Sequence, residues 1–236
     1  MKKSLIFILI SAIFLQSADA QFLNRLKKII NTNPASLSEE DAVAGIKEAL
    51  ITGTNESVRL VSVQDGYWAN PEIKIPFPSE ARDMETVLRK LGMGRKIDEF
   101  NESMNHAAEK AANEAKSIFI SAIRGLTVKD ALNIVKGEDN AATMYLKNTT
   151  SQELKEKFQP VINNSLQSVK ATSYWDDLIS TYNKVPLVKK MNPDLSAYVT
   201  DKAIDGLFIM IAKEELKIRK DPVARTTELL KKVFGN

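Results

Sequence analysis

Between Arg95 and Arg124 the sequence reads RKIDEFNESMNHAAEKAANEAKSIFISAIR, and small or apolar residues return at every third or fourth position. Ile97, Phe100, Met104, Ala107, Ala111, Ala115, Ile118 and Ala122 share one stripe, because 3.6 residues complete a helical turn. Ala108, Ala112, Phe119 and Ile123 widen that stripe enough for more than one neighbouring helix to pack on it. The pattern predicts one long central helix, around which the chain forms an all-α, single-domain multi-helix bundle. Asn101, Asn105 and Glu109 follow each other at i, i+4 spacing beside the alanines, a polar row placed near or inside the packed region. That row is the first candidate site.

Helix signals surround this element. Ser38 with Asp41 opens a helix that Gly53 ends, and a short helix over 55–62 completes a hairpin. Ser79 starts a helix through Leu91, closed by Gly92-Met93-Gly94, a hinge between helices and no dinucleotide fingerprint. Thr127 and Asp130 form a capping box for a helix stopping at Gly137. Asp139 begins the next, and Thr150 with Glu153 begins another toward Lys170, where Pro160 should produce a kink near Phe158. A helix over 173–183 follows. Asn192-Pro193-Asp194 opens a long helix with Ile204, Leu207, Phe208, Ile211 and Ala212 at its centre. Asp221 and Pro222 start a terminal helix carrying Leu229, Leu230, Val233 and Phe234.

One long segment breaks the helical pattern. VQDGYWANPEIKIPFPS carries Gly66, Pro71, Pro76 and Pro78 together with Tyr67, Trp68, Ile73, Ile75 and Phe77. Such an apolar loop either packs down on the helices or presents its side chains to a partner. Alternation over 72–75 also suits a short extended strand, whose visible mate is Lys184-Val185-Pro186-Leu187, so a single two-stranded β element is compatible with the bundle.

The chain opens with Lys2 and Lys3, an apolar run from Leu5 to Leu15, and Ala18-Asp19-Ala20, the organisation of a secretory signal peptide cleaved after Ala20. The run is too short to span a bilayer as a helix. Export to the periplasm or beyond is therefore expected, with no transmembrane segment after cleavage, and with residues 21–38 forming a tether or short amphipathic helix ahead of a helical domain over 39–236. Loss of two lysines and one aspartate with the leader leaves 31 basic against 29 acidic residues. A balance this even gives no electrostatic reason to bind nucleic acid. Cysteine is absent, which excludes disulfides and thiolate chemistry.

Five blocks, DGYWANPEIKIPFP, SMNHAAEKAA, LTVKDALNIVKGEDNAATMYLK, YVTDKAIDGLF and IRKDPVARTTELLKKVFG, span residues 65–235 in order. In them the chain resembles the bacterial domain of unknown function 4197 family. The resemblance implies an exported, mainly helical domain and transfers no catalytic residue. The family position matched by His106 is more often arginine, which argues against an essential imidazole there.

His106 stands alone as a histidine, and no cluster of metal ligands accompanies it, so neither a metal nor a cofactor is expected. The acid–base candidates are carboxylates: Glu109; Asp130 and Asp139 at helix starts, which capping explains; and Asp205 and Glu214 or Glu215 on the late helix. Glu109 stands out: held among alanines in a low-dielectric setting, its carboxylate must protonate or find a cation, with Arg219, Arg225 or Lys202 able to supply one. Arg219 and Arg225 also flank a helix start, where an anion can bind. Three readings remain open at this level. The first is a non-catalytic module of the cell envelope that docks an envelope protein, a peptide or an amphiphilic ligand through Tyr67, Trp68, Ile73, Ile75 and Phe77. The second is a hydrolase or lyase using Glu109 as acid and base. The third is a structural envelope component acting as a homo-oligomer.

Overall fold

The computed structural model describes residues 39–168, 171–188 and 194–221. The leader, the segment over 21–38, the Ser38 cap, the Asn192-Pro193 pair, Arg225 and the terminal helix lie outside these residues. The chain divides into two compact units, residues 1–44 and residues 45–236. The first contributes only the opening turns of one helix to the described residues; the second holds the rest.

Eight α-helices and no strand occur among the described residues: α1 (Glu39–Val61), α2 (Arg82–Lys90), α3 (Gly94–Ala112), α4 (Ala115–Arg124), α5 (Val128–Lys136), α6 (Ala141–Ser168), α7 (Ala171–Asn183) and α8 (Leu195–Lys220). A single 3-10 turn, Ser79–Ala81, precedes α2. Helix α3 packs on α6, α7 and α8, and α6 in turn packs on α4 and α8, so the alanine-rich element does sit at the centre of the second unit. Ala107, Ala108, Ala111, Ala112 and Ala115 are all fully buried, which lets neighbouring helices approach closely. No described helix is long and apolar enough to cross a membrane.

Several boundaries differ from the sequence reading. The central helix is two helices, because after Ala112 the backbone bonding shifts to i→i+3: Glu114 N–H reaches Ala111 O at 3.0 Å and Lys116 N–H reaches Asn113 O at 3.4 Å. Gly53 does not end α1. It lies inside the helix and buried, where a Cβ would stand 3.4 Å from the Ile218 side chain of α8, so its smallness serves contact instead of termination. Thr150 does not start a helix either: its hydroxyl donates back to Leu146 O at 2.7 Å, and α6 runs unbroken past it and past Pro160.

Other signals act as read. Thr127 and Asp130 form the capping box of α5. Asp194 caps α8, accepting from Ala197 N–H at 3.0 Å. Gly92, at φ 82°, closes α2: Gly92 N–H bonds Arg89 O and Met93 N–H bonds Leu88 O, the paired arrangement of a left-handed helix end. The suggested β element does not form. Leu187 is wholly exposed in a turn, and Ile75 finds its backbone partners on α3.

Candidate functional site

Residues 64–77 form a strap across α3 and α8, built so that backbone polar groups and apolar side chains both turn inward. Along 72–77 burial alternates: Ile73, Ile75 and Phe77 are buried, while Glu72, Lys74 and Pro76 are exposed. Phe77 enters a ring cluster with Phe100 of α3 and Trp175 of α7, the latter two stacked 5.0 Å apart at 11°. Tyr67 is completely buried, and its hydroxyl donates to Ala203 O at 2.6 Å. Gly206 makes room for it. A Cβ there would meet the Tyr67 ring at 2.7 Å and Ile73 Cβ at 3.1 Å.

The polar row of α3 holds the strap. Asn105, fully buried, accepts from Ile75 N–H at 2.7 Å and donates to Ile75 O at 2.9 Å and to Asn101 O at 2.8 Å. Its side-chain amide thus takes the place of a neighbouring strand for one residue. Asn101 contributes that carbonyl, while its own side-chain oxygen is buried without a hydrogen-bond partner.

Glu109, 4% exposed, accepts from three strap amides: Tyr67 N–H at 3.0 Å and Trp68 N–H at 3.2 Å on Oε1, and Asp65 N–H at 3.2 Å on Oε2. Asp65, at the start of this set of amides, adopts a left-handed backbone, φ 64°. Its carboxylate lies 3.3 Å from His106 Nε2, and that imidazole lies 4.0 Å from Glu109 Oε2. Burial pushes the Glu109 carboxyl above the usual carboxylate range, against the opposing pull of the Trp68 and Tyr67 amides, His106 and the Asp65 amide. Burial also raises the Tyr67 phenol, and the charge of Glu109 adds to it.

Among the described residues neither Arg219 nor Lys202 is the expected cation, and Arg225 lies outside them. Arg219 donates to Glu215 Oε1 through Nε at 3.0 Å and Nη2 at 2.8 Å, and through Nη2 to Ile134 O at 2.7 Å. Lys202 lines a groove elsewhere. Glu215, one of the carboxylates that the sequence offers on the late helix, is the second buried one: it accepts from Ala142 N–H and Thr143 N–H at 2.9 and 2.8 Å and from the Thr143 hydroxyl at 2.7 Å. It thereby serves the unpaired first turn of α6. Its i, i+4 spacing to Arg219 was the signal that could have found the pair.

Of the loop residues singled out by sequence, the structure turns Tyr67, Ile73, Ile75 and Phe77 into the core and leaves Trp68 half-buried, its ring covered by Lys74 Nζ at 3.3 Å from the centroid. The strap's outer edge instead walls an open groove of about 490 Å³, whose floor and far side come from Met144 and Lys147 of α6 and Lys202, Asp205, Phe208 and Ile209 of α8. Met144 and Ile209 are 46% and 42% exposed in it. No group of three or more histidine or carboxylate side chains suited to a metal occurs among the described residues.

A family model described as a protein of unknown function (DUF4197) matches residues 36–235. No curated protein and no solved structure matches the chain.

Proposed function

This chain belongs to the DUF4197 family of proteins of unknown function, and we propose that it is exported through the leader at residues 1–20 and works in the periplasm or cell envelope as a non-catalytic binding module. The observation that carries this reading is the use made of Glu109. A general acid or base must reach the proton it moves, whereas both oxygens of this carboxylate are turned onto the amides of Asp65, Tyr67 and Trp68 beneath the strap. The one acid–base candidate of the central helix is occupied in holding backbone. Open to solvent beside the strap lies the groove, with two exposed apolar side chains among charged ones.

Two experiments test the proposal. Fractionation of host cells, with N-terminal sequencing, should recover the protein outside the cytoplasm and beginning at Gln21; an intact leader on cytoplasmic protein would overturn export. For the groove, Met144→Asp combined with Ile209→Asp should leave the melting temperature within a few degrees, since both positions are exposed. The same pair should abolish photo-crosslinks formed from a probe at Lys147 in the host periplasm. Unchanged crosslinks would place the binding surface elsewhere.

A further inference from the structure

The charges around the groove are unequal, and their pairing says what can enter. Lys74, Lys147 and Lys202 line it against Glu72 and Asp205. Both acids are already engaged: Glu72 is bound by Lys213 of α8, and Asp205 lies 3.9 Å from Lys147. Among the described residues neither Lys74 nor Lys202 has a carboxylate within salt-bridge distance. Three lysines thus line the opening with two carboxylates, which Lys213 and Lys147 already meet; Lys202 is left to an incoming group, and Lys74, whose ammonium rests over the Trp68 ring, has no carboxylate of its own among the described residues. Met144 and Ile209, an adaptable thioether and a branched aliphatic side chain, are both exposed in the same groove.

Resting on the binding-module reading, we infer that the groove takes an acidic segment of a partner protein, seated by one or two apolar side chains against Met144 and Ile209 with its carboxylates at Lys74 and Lys202. The groove favours a peptide over an acyl chain, since it is open to solvent and a lipid tail requires enclosure to leave water. Charge complementarity of this kind sets partner choice and on-rate, while the central apolar contact holds the complex.

The test uses the mature full chain as bait for a displayed library of random dodecapeptides, with selection repeated on the Met144→Asp, Ile209→Asp variant. Sequences enriched on the parent and lost on the variant should carry an excess of Asp and Glu around a Leu, Ile, Phe or Trp. A synthetic peptide of the enriched pattern should bind about tenfold more weakly at high salt than at low salt, because exposed charge pairs are screened over roughly 10 Å. Lys74→Glu with Lys202→Glu should cost a similar factor, and a Gln-for-Glu peptide should lose the salt dependence. Enriched sequences that are neutral or basic, or binding indifferent to salt and to the lysine pair, would overturn the acidic partner and leave the groove as a binding surface. Failure of the parent to enrich anything over the variant would overturn both. A fatty-acid mass retained on the native protein, and displaced by the Met144→Asp, Ile209→Asp pair, would replace the peptide by an anionic amphiphile.

Discussion

Two buried glutamates, Glu109 on α3 and Glu215 on α8, solve the same problem with different means. Each accepts backbone N–H groups that have no other partner: Glu109 those of the strap, Glu215 those of the first turn of α6. Glu215 also has the Arg219 guanidinium, itself only 10% exposed, so its charge is neutralised where it is buried. Among the described residues Glu109 has backbone dipoles, with an imidazole at 4.0 Å. The difference teaches that orienting amides can seat a carboxylate in the core, but that burial then pushes its carboxyl above the ordinary range.

Removing Glu215 should have the largest effect. Glu215→Ala takes the carboxylate from a buried guanidinium and leaves two helix-start amides without that acceptor, and urea denaturation should show a loss of roughly 3 to 5 kcal/mol. Glu109→Ala leaves three amides but no buried opposite charge, so about 2 to 3 kcal/mol is expected. A loss at Glu109 equal to that at Glu215 would break the comparison, because the guanidinium would then add nothing to the cost.

Gly206→Ala leaves both glutamates in place and acts on the strap by crowding. The new methyl meets Tyr67 and Ile73, and overpacking of about 1 to 3 kcal/mol is partly offset by roughly 1 kcal/mol of helix propensity. A small net loss, with faster amide exchange at Tyr67 and Trp68, is the expected outcome. Slower exchange there would mean that Glu109, and not the notch at Gly206, sets the position of the strap.

The smallest effect concerns pH. A carboxyl raised in the folded state binds more protons folded than unfolded between its ordinary value, 4.5, and its raised one. Its contribution is therefore full below 4.5 and declines as pH rises through the raised value. Thermal melts across that window should show the parent losing stability relative to Glu109→Gln as pH increases. The opposite slope would mean that the strap amides outweigh burial.

How far the sequence foretold this depends on where each interaction lies along the chain. Local devices were legible: the Thr127–Asp130 box, the Asp194 cap and the apolar stripe of α3 rest on neighbours within one or two turns. Gly53 was misread because a glycine that stops a helix and one that admits Ile218 look alike until the second helix is in place. The gap at Asn113-Glu114 has no breaker residue to announce it. The row Asn101, Asn105, Glu109 could be placed on one face, but its partners are backbone amides, which leave no trace in side-chain patterns. Glu215 and Arg219 were within reach, being four residues apart, yet a basic segment invites the reading of a solvated face.

The hydroxyl of Tyr67 bonds a carbonyl 136 residues further along the chain, and Ile75 bonds Asn105 only 30 residues away. Closing the longer loop costs more chain entropy and demands that α8 already lie on α3. The strap therefore has an order of events written into it: the α3 end can zip while the chain is still open, and the Tyr67 end is expected to lock last. Trp68, on the strap and one residue from that closing bond, would give a fluorescence signal for the final step of folding, distinct from the earlier burial of Trp175 among the helices.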